Sequence, residues 1–110
     1  TPTGSTAYSL SSGRPLLHTS LDATALVPIS PHTLTSRPIV IPNQSSIEIE
    51  LGSDRPVDSL LSFDGHHDIP LMSGDRIKIK ASPEKMRLLH PLHYDYYHIL
   101  RSKLHWGTQL

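Results

Sequence analysis

Two short runs constrain the fold more than anything else in the chain: Ile47-Glu48-Ile49-Glu50-Leu51 and Ile77-Lys78-Ile79-Lys80-Ala81. Strict alternation at period two puts Ile47, Ile49 and Leu51 on one face of a strand and both carboxylates on the other, and the second run repeats the pattern with opposite charge. As neighbours, these strands would set Glu48 and Glu50 against Lys78 and Lys80 across a solvated sheet surface, each exposed pair contributing roughly 0.2–1 kcal/mol. Their role is register, not catalysis. Ten prolines suit a chain of many strand ends and turns. Further strands are expected over 25–29, where Pro28 implies an edge or a bulge, over 38–42 between two prolines, over 57–63 and over 86–90. Asp64-Gly65 and Ser73-Gly74-Asp75 read as turns, and 31–37 as a loop. Residues 5–12 suit a short helix stopped by Gly13 and Pro15. A second helix is predicted over 94–104, with Tyr97, Leu100 and Leu104 on one stripe and Arg101 and Lys103 in its last turn. Together these predict a mainly β, β-sandwich-like domain spanning residues 1–110 with a short helix near each end.

At 110 residues a single core is feasible, expected to bury roughly 65% of the surface of the unfolded chain. Ten basic and ten acidic residues balance to zero net charge, which argues against nucleic acid held by a broad basic field. No apolar run is long enough to span a bilayer, and no secretory-type leader is visible. The absence of Cys removes disulfides and thiolate chemistry. The expected location is the cytoplasm.

The opening residues, Thr1-Pro2-Thr3-Gly4-Ser5-Thr6-Ala7-Tyr8, gather hydroxyls and a glycine into a turn before a small-residue segment. Backbone N–H groups at such a turn, together with short Ser and Thr side chains, can meet ribose hydroxyls or phosphate oxygens at close range. Pro2 stiffens the approach, Gly4 offers a φ that other residues resist, and Ser5 is placed to cap a following helix. Plain capping is the alternative role of the same residues.

The run continues as Ser9-Leu10-Ser11-Ser12-Gly13-Arg14-Pro15, then Ser20-Leu21-Asp22-Ala23, Leu26-Val27-Pro28-Ile29, Pro31-His32-Thr33-Leu34, Arg37-Pro38 and Phe63-Asp64-Gly65-His66. This series closely resembles the C-terminal half of bacterial NAD kinases, down to a Tyr-rich final segment and Lys103-Leu104-His105-Trp106. Arg14 stands where the family usually has a second Gly, Thr19 where Pro is common, and His66 where many relatives have Gln. The resemblance implies an NAD-binding segment of Thr6, Ala7, Tyr8, Ser9, Leu10 and Ser11, with His66 as a further contact and Thr3, Asp64 and Gly65 as secondary ones. Backbone groups of Thr6 and Ala7 suit hydrogen bonds to the nucleotide, and Tyr8 offers a flat face for stacking, with Ser11 one helical turn on. By the same resemblance no catalytic residue lies in this chain. The proposed Asp base belongs to a GGDG motif in an upstream α/β domain, absent here, and because the chain begins inside a motif it is expected to be a fragment, inactive alone. ATP with a divalent ion such as Mg²⁺ as donor, NAD as acceptor and a homo-oligomeric state are likewise implied.

Other chemistries fare worse. His66-His67-Asp68 and His90-Pro91-Leu92-His93 suggest a metal site on paper, but adjacent His on a strand face opposite ways and Pro91 breaks the helical spacing an i, i+3 pair needs. Any Mg²⁺ is expected on substrate phosphates instead. The many Ser and His lack a G-x-S-x-G elbow for a hydrolase. Two rivals stay open at this point: a related diacylglycerol-type lipid kinase domain and a non-enzymatic β-sandwich serving in binding or assembly.

Overall fold

The computed structural model describes residues 1–6, 15–29, 37–52 and 58–107. A 3-10 turn at Thr3–Thr6 is followed by six strands and one helix. These are β1 (Ala23–Leu26), β2 (Ile39–Pro42), β3 (Ile47–Glu50), β4 (Ser59–Phe63), β5 (His66–Leu71), β6 (Arg76–Ile79) and α1 (Tyr96–Leu104). The strands pair as three antiparallel ribbons, β1 with β2, β3 with β6 and β4 with β5. The mainly β architecture and a short helical element near each end agree with the sequence.

The two alternating runs do pair. Ile47 faces Ile79 and Ile49 faces Ile77, while Glu48 faces Lys78 and Glu50 faces Arg76. Arg76 reaches both Glu48 (3.4 Å) and Glu50 (3.5 Å), and Lys78 lies 3.8 Å from Glu48. Arg76 therefore takes the place expected of Lys80, which falls beyond the strand. The antiparallel register requires it, because opposing β3 and β6 end to end brings Arg76 to Glu50.

The other elements depart from expectation in instructive ways. β1 begins at Ala23, so Pro28 falls outside the ladder, where its missing N–H costs nothing. Its end is pinned by Asn43, whose N–H donates to the Asp22 carbonyl (3.1 Å) and whose Oδ1 accepts from Thr24 Oγ1 (2.7 Å). Residues 86–90, expected as a strand, form none. No edge pairs with them, and Met86 and Leu89 stand 87% and 96% exposed. β5 was not predicted, since His66-His67-Asp68-Ile69-Pro70-Leu71 carries neither alternation nor a proline-free run. The Ser73-Gly74 turn holds: Asp75 N–H donates to the Met72 carbonyl (3.1 Å), and Gly74 takes φ 86°.

Asp95 caps α1, its Oδ1 accepting from Tyr97 N (3.0 Å) and His98 N (3.2 Å). At the other end His105 turns left-handed (φ 53°) and Trp106 N–H donates to the Leu100 carbonyl (3.3 Å). Leu100 is buried and Leu104 half-buried as predicted, but Tyr97 is exposed and Tyr96 takes the inner position. Among the described residues the buried apolar side chains are Leu17 and Leu100. The accessible surface is 9722 Å², against about 6,000 Å² for a compact monomer of this length. The radius of gyration is 16.8 Å, against about 13 Å. The chain thus falls well short of the roughly 65% burial expected for its size.

Candidate functional site

The opening turn is built from side chains that replace missing backbone partners. Thr1 Oγ1 accepts from Gly4 N–H (3.0 Å), Ser5 N–H donates to the Pro2 carbonyl (3.2 Å), and Thr6 Oγ1 lies 3.4 Å from the Thr3 carbonyl. Thr1 caps the 3-10 turn, and the helix that Ser5 is expected to cap lies beyond Thr6, outside the described residues. One expectation is corrected here: Gly4 does not take a positive φ. It suits this position for want of space, since a Cβ there would meet Thr1 Oγ1 at 2.9 Å and press on the cap.

Ser5 faces inward. Only 3% exposed, its hydroxyl donates to the Pro2 carbonyl (2.7 Å) and accepts from Leu17 N–H (3.0 Å), twelve residues along the chain. His18, next to Leu17, sets its ring edge-on to Tyr96 (centroids 4.6 Å, 70°) and 5.8 Å from Tyr97. Its Nδ1 also meets Ser20 Oγ (2.7 Å) and accepts from Ser20 N–H (3.1 Å). The opening turn is thereby linked to α1. Thr3 and Thr6, on either side of Ser5, remain exposed. Ala7, Tyr8, Ser9, Leu10 and Ser11 lie outside the described residues, as do the expected helix beyond Thr6, its Gly13 stop, Arg14 and most of the 31–37 loop.

The second group of sequence-derived residues sits at the tip of the β4–β5 hairpin. Asp64 (φ 51°) and Gly65 (φ 71°) both take positive φ, the type I′ geometry whose twist matches the flanking strands and which Asp-Gly favours. Phe63 faces His66, and Leu61 faces Ile69. One extra residue on β5 is therefore absorbed as a bulge, with His67 at φ 56°. Ser62 Oγ bonds Asp68 Oδ1 across the ribbon. The tip from Phe63 to Asp68 is exposed throughout. His66 and Asp64 are thus open to solvent, and the bulge replaces the simple alternation of His66 and His67 that the sequence suggests.

Neither of the remaining features joins these two groups. His90 stacks on Tyr94 (centroids 3.9 Å, 13°), which is a local contact within the segment leading to α1. A shallow depression lined by Leu51, Gly52, Ser59 and Ser73 includes none of the singled-out residues. Among the described residues its lining carries no ionisable side chain. Among the described residues no group of three or more His, Asp or Glu is placed to hold a metal ion. The Ser5–Leu17 contact and the His18 ring cluster have no signal in the sequence, because nothing local marks residues twelve or more apart as partners. Asp95 does carry one, as an acidic residue directly before a helical run.

The described surface thus offers two polar groupings on a mainly β domain, an exposed Ser/Thr turn held from beneath and an acid- and imidazole-bearing hairpin tip. The family defined as the ATP-NAD kinase C-terminal domain matches residues 1–91, and the chain belongs to that family. It is 50% identical over its whole length to an NAD kinase of Colwellia psychrerythraea and 51% identical to one of Thiobacillus denitrificans, covering 38% and 37% of those proteins. Its structure is similar to that of a yeast NADH kinase complexed with NADH, with a TM-score of 0.81 and 28% identity over 99% of this chain and 34% of that one. The chain therefore spans a little over a third of the length of the curated relatives it matches.

Proposed function

We propose that this chain is the acceptor-holding domain of an NAD kinase, which moves a phosphoryl group from ATP to the 2′-hydroxyl of the adenosine ribose of NAD and so forms NADP. The observation that carries the reading is the family match over residues 1–91, which begins on the turn that leaves Thr3 and Thr6 exposed. In this reading Thr6 to Ser11 bind the adenosine end of NAD, Tyr8 stacking on it, and His66 contacts the nucleotide from the hairpin tip with Thr3, Asp64 and Gly65 beside it. In-line phosphoryl transfer depends on aiming the hydroxyl at the γ-phosphorus and neutralising the charge around it, so holding the acceptor still is itself a catalytic contribution. The general base and much of the donor site belong to a preceding domain.

Mg²⁺ accompanies the donor. Phosphate oxygens supply most of its ligands, as suits a hard ion that dehydrates reluctantly. The partners of this chain are the rest of its own protein and further copies of it. The support is the number of large apolar side chains left exposed, with Ile39, Leu60, Phe63, Met86, Leu89 and Leu92 all more than half exposed. Among the described residues no helix is long and apolar enough to cross a membrane.

The test is enzymatic. The intact protein with NAD, ATP and Mg²⁺ should make NADP, and residues 1–110 alone should make none above background. Turnover by the isolated segment would overturn the division of labour. Phosphorylation of diacylglycerol in place of NAD would favour the lipid-kinase alternative.

A further inference from the structure

We infer that Ser5 is a positioning residue for NAD, a claim that rests on the reading of the opening turn as a nucleotide contact. Ser5 is the buried polar side chain among the described residues, and it touches no solvent-facing surface where a ligand would sit. Its single hydroxyl works in two directions, donating to Pro2 at 2.7 Å and accepting from Leu17 N–H at 3.0 Å. The Pro2 carbonyl keeps the Ser5 N–H (3.2 Å) as a second donor, but Leu17 is 6% exposed, so its N–H has no water as a ready substitute. Removing the hydroxyl strands a buried N–H, which costs more than the bond itself is worth. The flanking Thr3 and Thr6 share the same short turn and are exposed. Whatever fixes Ser5 fixes the height and orientation of the groups that meet the nucleotide. The anchor continues through His18 to the rings of Tyr96 and Tyr97, which connects the turn with α1. Loss of the hydroxyl should therefore move the turn without dismantling the sheets.

The experiment measures steady-state kinetics and melting temperature of the intact protein carrying Ser5→Ala, Ser5→Thr, Thr6→Ala or Tyr8→Ala. Ser5→Ala should raise the KM for NAD by about ten-fold, in line with one buried hydrogen bond, with the KM for ATP unchanged and kcat within about three-fold. Ser5→Thr, which keeps the hydroxyl, should bring the KM for NAD back to within about three-fold of the parent. A fall in melting temperature with an unchanged KM for NAD would show a merely structural role and overturn the inference. So would an equal loss in Ser5→Thr and Ser5→Ala. Should Ser5→Ala fail to fold, Ser5→Cys, close in volume and a weak hydrogen-bonding group, is read by the same KM criterion. Thr6→Ala and Tyr8→Ala separate the two levels. If they raise the KM for NAD while Ser5→Ala does not, only the role of Ser5 falls; if none of the three does, the NAD reading of the turn falls with it.

Discussion

The opening turn and the β4–β5 hairpin tip both present polar groups to solvent, yet they are held by different physics. The turn owes its place to a side chain: Ser5, 3% exposed, reaches Leu17 across twelve residues. The tip owes its shape to backbone angles, with Asp64, Gly65 and His67 at positive φ and no buried side chain among them. A side-chain anchor transmits the state of a distant element, here α1, to the surface it supports. A dihedral-locked hairpin is indifferent to distant elements and sensitive to any Cβ placed where φ is positive.

This contrast can be broken by substitution in the intact protein, read by chemical denaturation. The largest effect belongs to the anchor: Ser5→Ala should cost about 2 kcal/mol, the weight of a buried N–H left without a partner. Equal stability in the variant would mean the turn is not held from beneath. Next comes Gly65→Ala, which puts a Cβ at φ 71° and should cost about 1–2 kcal/mol, while Asp64→Asn, also at ease in this region, should change little. Similar losses in the two variants would erase the claim that backbone, not side chain, shapes the tip. Asp95→Ala removes two cap bonds and should cost about 1 kcal/mol. It sharpens the comparison because α1 supports the turn alone: the KM for NAD should rise modestly, with backbone amide protection in the tip unchanged by hydrogen exchange. The smallest effect is expected from Lys78→Ala on the neighbouring ribbon, under about 1 kcal/mol and shrinking with added salt, because its partner Glu48 is solvent-exposed. A large, salt-independent loss there would show that the ribbon's charges do more than set register.

Legibility followed locality. The β3–β6 pairing could be read because alternation and charge are local patterns, although the register exchanged Lys80 for Arg76 once the strands opposed end to end. The Asp64-Gly65 turn was equally plain, but its second strand was hidden by two His, an Asp and a Pro, which pair through a bulge that no period describes. The 86–90 run misleads for the opposite reason: Met86, Leu88 and Leu89 are strand-like in composition, yet among the described residues no strand pairs with them. For the candidate site, residue type and resemblance single out Thr3, Thr6 and the hairpin tip, and the fold adds that all of them are exposed. Gly4 is needed for space beside Thr1 rather than for its φ, and Ser5 bonds Leu17, both properties of the folded chain that no local pattern carries.

The central claim is that the opening turn holds the adenosine end of NAD. Calorimetric titration of NAD into the intact protein and into its Tyr8→Ala variant tests it most directly. The account predicts saturable binding by the parent and a Kd at least about ten-fold weaker in the variant, the loss of one stacked aromatic face with its contact area. An unchanged Kd in a folded Tyr8→Ala protein would contradict it.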